Sequence, residues 1–338
     1  MSRWRNKKTI ACMYVLVSLL ILAVFLDLSW AHKLLSFSDV WNVIIGKGTW
    51  ANNLIVEDNA KRVCIGSVVG AGLAVSGSVM QAMFRNPMAS PYLLGLSSGA
   101  SLGAAISILF AIPFIPLAIS TPLLAFVFCL GTMFLVFGMS HVGGNTQTET
   151  LLLTGIAISS MMSAVVSFLT FIAGDKLESI VFWSMGGLYR ASWDNIMVAV
   201  PLIILGIVVM FSYSKDLNAM MLGDNHALDL GIDVGKTRLI LLIASSLVTA
   251  AAVAFVGVIG FVGLIIPHIF RIVLGPDNRI LIPVSAFGGA VFLVLCDFIS
   301  HVVAPSYGVL PIGVLTAIIG APYFIYLLRR RRNEVGWS

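Results

Sequence analysis

The sequence predicts an all-α polytopic membrane protein with ten transmembrane helices arranged as two inverted five-helix halves, and three observations carry that expectation. Of the 338 residues, 59% are hydrophobic and 10% charged, with a mean hydropathy of +1.02, where a soluble domain carries about 25% charged residues. Several apolar stretches exceed the roughly 20 residues that cross a hydrocarbon core, and Asn86 to Thr148 contains no Asp, Glu, Lys or Arg. The Lys and Arg residues lie in loops and tails, where their sidedness can orient the chain. This composition excludes a water-soluble fold. The net charge of +5 does not point to nucleic acid, because the basic residues are not interleaved with exposed aromatics.

The first span, near 9–30, follows Arg3, Arg5, Lys7 and Lys8. It resembles a secretory signal, but no small-x-small cleavage site precedes Asp27, so a retained helix is expected. Charges and Gly/Pro punctuation then bound spans near 62–84, 94–112, 117–140, 149–173, 193–213, 238–256, 259–274, 281–303 and 309–328. Only 32 residues separate Arg238 from Arg271, too few for two full spans at about 1.5 Å per residue. The eighth helix is therefore expected to be short, with a break around Gly257, Gly260 and Gly263 where backbone can line a cavity. One long tilted helix is the alternative.

Charge settles the parity. With ten spans and a cytoplasmic N-terminus, 14 of the 20 Lys and Arg face inward, including Arg329 to Arg332, as the positive-inside rule asks. Nine spans would leave that cluster outside. Five spans per half would invert one half against the other. The best internal pairing sets GAGLAVSGSVMQAMFRNP beside AVAFVGVIGFVGLIIPHIFRIVLGP, each a Gly-rich run leading into Arg and Pro. Residues 1–338 read as one transmembrane domain.

Small residues recur every four positions at Gly66, Gly70, Ala74, Ser78 and Ala82, and again at Gly95, Gly99, Gly103, Ser107 and Ala111. Such faces let helices approach closely in lipid. Packing within one subunit is the favoured reading and a dimer seam the other. Cys12, Cys64, Cys129 and Cys296 lie in apolar runs without ligand-like spacing, which excludes zinc and disulfide frameworks and leaves small buried hydrophobes.

Two motifs fail on their context. Gly95-Leu96-Ser97-Ser98-Gly99 matches G-x-S-x-G, but that nucleophile needs a strand-to-helix elbow with a His and a carboxylate in reach. Gly231 to Thr237 has three residues before Gly-Lys-Thr where a phosphate loop needs four. The chain is thus expected to bind no ATP and to be no enzyme. His32, His141, His226, His268 and His301 show no HxxH or HExxH pairing, so no metal or haem site is expected on it. His301 follows Asp297 by four residues on one helical face, and Asp297 is the one carboxylate assigned to a span. Ionisable groups at depth face a cavity or a partner, so a polar site near the outer end of a path and an Asp–His packing pair stand as equal readings.

The segment RVCIGSVVGAGLAVSGSVMQAMFRNPMASPYLLGLSSGASLGAA, Arg62 to Ala105, resembles the signature of the FecCD-type permeases that serve iron-siderophore, haem and cobalamin ABC importers, the type II importer membrane subunits. WSMGG (183–187), LNAMMLGDNHALDLGI (217–232), GFVGLIIPHIFRIVLGPDNRILIP (260–283) and LPIGVLTAIIGAPYFIYLL (310–328) extend the likeness across the chain in order. The resemblance implies ten helices per subunit, a homodimer, two cytoplasmic ABC ATPase subunits that carry ATP and magnesium, an external substrate-binding protein, and a bacterial or archaeal cytoplasmic membrane with both termini inside. It implies no cofactor on this chain.

By the same resemblance, the cytoplasmic segment 215–235 docks the ATPase through Leu217, Leu222, Gly223, Asp224, Ala227, Leu230 and Gly231. Asn86, Met88, Gln147 and Thr148 match a cytoplasmic gate, where a narrow polar aperture would stop leakage of a bulky hydrated chelate. Arg62 matches an Arg that meets the binding protein. Asn59 and His301 stand where relatives carry further Arg residues, which puts the charge-based docking scheme in question or makes it strengthen when His301 is protonated. An ion-coupled secondary transporter is the alternative function, and it would want several carboxylates near the midplane. An intramembrane hydrolase at Ser97 is the third.

Overall fold

A chain in hydrocarbon must satisfy each backbone N–H and C=O internally, which leaves long apolar segments little choice but helix. The computed structural model describes residues 2–31, 33–142, 145–146, 148–303 and 309–334. In order these form α1 (Ser2–Leu28), α2 (Phe37–Ile44), α3 (Trp50–Met83), α4 (Leu96–Phe110), α5 (Leu117–Ser140), α6 (Thr148–Phe171), α7 (Leu177–Ser184), α8 (Trp193–Ser212), α9 (Ser214–Leu222), α10 (Asp224–Asp229), α11 (Val234–Val256), α12 (Val262–Leu274), α13 (Asn278–Val303) and α14 (Ile312–Glu334). Extended pairing among the described residues is limited to two hairpins, Trp30–Ala31 with Lys33–Leu34 and His141–Val142 with Asn145–Thr146.

Among the described residues, seven helices are long and apolar enough to cross a membrane, namely α1, α3, α5, α6, α8, α11 and α13, and α4, α12 and the Ile312–Tyr326 part of α14 are shorter apolar helices. Burial sorts them into core and periphery. The most apolar window of α3 is 78% buried, with α11 and α13 close behind, while that of α1 is only 11% buried. Helix α3 packs against α8, α11, α12 and α13 and forms the centre of the molecule.

Side-chain size explains how those neighbours come so close. A Cβ on Gly77 of α3 would overlap the Gly263 carbonyl of α12, and one on Gly70 would overlap the Gly289 carbonyl of α13. The two Gly-rich runs matched as a repeat therefore touch each other in space. In α4, Gly99 and Gly103 lie against the Phe128 and Leu124 carbonyls of α5, and Ser107 pairs with Ser120 and Thr121 at 2.9 and 3.1 Å. Both small-residue faces thus form seams inside one chain.

Helix α11 ends at Val256, and the chain leaves helix until Val262, which excludes the single long tilted helix. Gly257, at φ +75°, stands where a Cβ would overlap the Trp183 carbonyl, and the Val256 carbonyl accepts from Gly187 N–H at 2.8 Å. The break is held by the segment after α7 instead of being left unsatisfied.

Three features differ from the sequence expectation. Helix α3 begins at Trp50 and not near residue 62, because Thr49 caps it by accepting from Asn52 N–H at 3.3 Å and Glu57 pairs with Lys61 at 3.3 Å. Those first turns are polar, so hydropathy passes over them. The span expected to run to residue 173 ends at Phe171 and is followed by the separate α7, and α2 is a further short helix, built on a Ser36–Asp39 capping box. Asp233 accepts from Lys236 N–H at 2.9 Å to cap α11, which gives the Gly-Lys-Thr segment a helix-start role. Ser97 likewise lies in the first turn of α4, with no strand before it.

Candidate functional site

Polar side chains concentrate at two opposite ends of the bundle and along one exposed helix face. At one end, Arg62 of α3 reaches across to α1 and α13. Its guanidinium donates to Asn59 Oδ1 at 2.9 Å, lies 3.5 Å from Asp27 Oδ1 and 3.3 Å from Asp297 Oδ2, and donates to His301 Nε2 at 2.6 Å. Arg can only donate, so Nε2 accepts; the imidazole is then neutral with its proton on Nδ1, which donates to the Asp297 carbonyl at 2.8 Å. Asn59 Nδ2 donates to the carbonyls of Asp27, Leu28 and Trp30 at 3.2, 3.1 and 2.8 Å, satisfying the end of α1 that the helix itself cannot.

Asp27, Asn59, Arg62 and Asp297 are all buried, the two aspartates almost completely. Arg62, Asn59 and His301, expected from the resemblance to face a binding protein, do come together, but in this structure they turn to one another and to the two aspartates. Asp297 and His301 belong to this helix-packing knot. The expectation that Asp297 is the lone carboxylate in a span is corrected: Asp27, at the last turn of α1, faces the same guanidinium. It was passed over because it ends an apolar run and reads as a boundary.

The opposite end gathers residues from the loop after α3, from α9 and α10, and from the starts of α11 and α13. Asp224 Oδ1 accepts from Arg85 at 2.9 Å and its Oδ2 from Arg238 at 3.0 Å. Asn218 of α9 donates to Asp277 at 2.8 Å and accepts from Asn278 N–H at 2.8 Å, tying α9 to the start of α13. Hydrogen bonding from the Arg279 side chain and then from Asn218 outweighs partial burial and holds the Asp277 carboxyl well below the usual carboxylate range.

Of the residues assigned to ATPase docking, Leu217 and Ala227 are buried and anchor α9 and α10 to the body, whereas Leu222 and Leu230 are 74% and 68% exposed. Gly223 and Gly231 hold φ +132° and +79° and turn the chain at each end of α10. Leu228 of α10, also exposed, joins this leucine set, between Leu222 at the end of α9 and Leu230 just after α10, and was missed by sequence reasoning.

Asn86 and Met88 follow α3 in a turn in which Asn86 Oδ1 accepts from Met88 N–H at 3.0 Å. Thr148 is the first residue of α6. Gln147 lies outside the described residues; of that set, the structure shows Asn86 and Met88 in one turn.

The exposed face belongs to α6. Its apolar window is only 22% buried, and Ser160, Ser163 and Ser167 sit on the open side. Ser160 and Ser167 donate to the carbonyls of Ile156 and Ser163, at 3.0 and 2.9 Å, so their lone pairs remain available outward. Ser163 approaches Ser98 of α4 at 3.3 Å. Beyond α6, a cavity of about 410 Å³ is lined by Glu178, Ser179, Phe182, Tyr189, Arg190 and Val309, with the Arg190 guanidinium 5.2 Å from the Tyr189 ring centroid. The hydroxyl row was not singled out from sequence, because Ser and Thr are ordinary packing residues in membrane helices. Among the described residues, no group of three His, Cys, Asp or Glu is placed to hold a metal ion.

The FecCD transport family matches residues 19–330. The cobalamin import permease BtuC of Halobacterium salinarum is 43% identical over 80% of this chain and 72% of its own length. The hemin transport permease HmuU of Yersinia pestis is 40% identical over 94% of this chain and 95% of its own. A solved structure, described as a metal-chelate type ABC transporter in an inward-facing conformation, superposes with a TM-score of 0.81 at 31% identity, covering 94% of this chain and 98% of that one.

Proposed function

The chain belongs to the FecCD transport family, the multi-pass permease subunits of ABC importers, and from that premise we propose that it carries a bulky chelate, an iron-siderophore, haem or cobalamin, across a cytoplasmic membrane. The apolar helices among the described residues, seven long and three short, then make ten crossings in two inverted halves, with both termini and the Asp224 end cytoplasmic. A second copy of the chain forms the other wall of the path, an external binding protein delivers cargo at the Arg62 end, and a separate ATPase docks on α9 and α10.

The α6 hydroxyl face carries this reading. A row of Ser side chains with outward lone pairs has no reason to face lipid, where an unsatisfied polar group is costly. It suits a water-filled path between two copies, where a polar cargo slides past weak, exchangeable hydrogen bonds. At the cytoplasmic end Asn86, Met88, Gln147 and Thr148 form the constriction. Exposed Leu222, Leu228 and Leu230 present apolar knobs for a groove in the ATPase, the helix-in-groove mode, with Leu217, Gly223, Asp224, Ala227 and Gly231 setting their placement. At the outer end the Arg62 knot, with Asn59, Asp297 and His301, fixes the shape of the surface that receives the binding protein instead of lending it a free charge.

Cysteine labelling tests the path. In a background with the four native cysteines replaced, Ser163→Cys should react with a charged thiol reagent in the assembled importer and be protected by cargo. Ile204→Cys, exposed on α8, should face lipid and stay unreactive. An unreactive Ser163→Cys, or equal labelling at the two positions, would contradict the reading.

A further inference from the structure

Arg85 breaks a local rule. Helix α3 ends at Phe84 in a Schellman arrangement: Asn86 N–H donates to the Gln81 carbonyl at 3.1 Å and Arg85 N–H to that of Ala82 at 3.2 Å. The residue at the turning position has φ +50°, the left-handed conformation in which Gly is the usual choice and a Cβ is strained. A strained residue held where Gly would serve better points to its side chain. That side chain runs to Asp224, 2.9 Å away, and the second oxygen of Asp224 meets Arg238 of α11 at 3.0 Å. Asp224 is the first residue of α10, directly after the Gly223 turn. Arg85 is followed by Asn86 and Met88, locked to each other through Asn86 Oδ1.

One carboxylate thus joins three elements: the loop after α3, the short α10 and the start of α11. We infer that Arg85 is a positioning residue, whose ion pair with Asp224 ties α10 to the loop carrying Asn86 and Met88 so that a displacement of α10 is delivered to that loop. The inference rests on the reading of α9 and α10 as the ATPase-docking element. A solvated ion pair of this kind contributes little to stability, so its consequence lies in transmission. Both arginines pull on the same side chain, and the Asp224 carboxylate moves with α10.

The test uses the complete importer, with its ATPase and binding protein, in proteoliposomes. Arg85→Gly relieves the strained turn, so the complex should unfold at the same temperature as the parent or higher. Uptake per ATP hydrolysed should fall about fivefold or more. Arg85→Gly should still copurify with the ATPase, and Asp224→Asn, which also releases Arg238, should lose at least as much uptake per ATP. The double variant should be no worse than Asp224→Asn alone, since that substitution already cuts the link to Arg85. Arg85→Lys, equally strained but still cationic, should retain more coupling than Arg85→Gly. Normal uptake per ATP in Arg85→Gly overturns the inference, and so does a loss of uptake that tracks a loss of thermal stability. Loss of ATPase copurification in Arg85→Gly would place Arg85 in the docking contact and overturn the link. Failure of the unsubstituted chain to hold the ATPase is a different result, and overturns the docking reading itself.

Discussion

The Arg62 end and the Asp224 end are both built from Arg and Asp, yet they are joined in opposite ways. At the first, Asp27 and Asp297 are 0% and 1% exposed, and one guanidinium is shared between two carboxyl groups, an amide and an imidazole. At the second, the Arg85 and Asp224 side chains are 46% and 38% exposed, and each Asp224 oxygen meets one arginine. A buried charge cluster resists partial opening, because removing one member leaves the others desolvated and unpaired. An exposed pair exchanges readily with water. The same residue types therefore give one end whose contacts resist partial opening and one whose contacts exchange with water, a contrast that suits the proposed importer driven by an ATPase from one side.

Removing the Arg62 guanidinium should produce the largest effect. Arg62→Ala strands two buried carboxyl groups and should cost about 3–5 kcal/mol, read as a large fall in thermal unfolding temperature in lipid. Unchanged unfolding would erase the contrast between the ends. Asn59→Ala removes the side-chain amide that reaches the carbonyls of Asp27, Leu28 and Trp30 and should cost about 1–3 kcal/mol. Limited proteolysis should then show α1 detaching first, and proteolysis that begins elsewhere would show that Asn59 does not hold it. Arg238→Gln cuts a partly exposed pair at the other end and should change stability by no more than about 1 kcal/mol; a loss as large as that of Arg62→Ala would make the two ends alike.

The smallest effect depends on pH. The Asp277 carboxyl is held below its ordinary range, mainly by Arg279, so its charged form stabilises the fold. That contribution is complete above the usual carboxylate value, about pH 4, and fades as pH falls toward the folded value. Asp277→Asn should be slightly less stable than the parent at neutral pH, with the gap closing in acid. A gap that stays constant with pH would remove the charge from the explanation.

How much of this was legible in the sequence depends on the kind of signal. Hydropathy found the apolar helices, and the crowding between Arg238 and Arg271 with Gly257, Gly260 and Gly263 located the break between α11 and α12. Hydropathy passed over the start of α3 and all of α7, because polar caps and a short helix carry no apolar run. Arg62 and Asn59 were reached only by family resemblance, whereas the Asp297–His301 pair was legible in helical spacing. The partners of Arg62, Asp27 and Asp297, are 35 and 235 positions from it in the chain, and helical spacing cannot connect such distances. Ser160, Ser163 and Ser167 were visible as residues but not as a face, since their exposure is a property of the packed bundle. Arg85 looks like an ordinary loop cation until its φ is known.

The most direct test of the account is uptake in proteoliposomes containing this chain, its separate ATPase and the binding protein loaded with haem, cobalamin or an iron-siderophore. The account predicts accumulation of one of these that stops when the ATPase or ATP is omitted and survives collapse of the proton and sodium gradients. Accumulation by the purified chain alone, driven by an ion gradient, would contradict it.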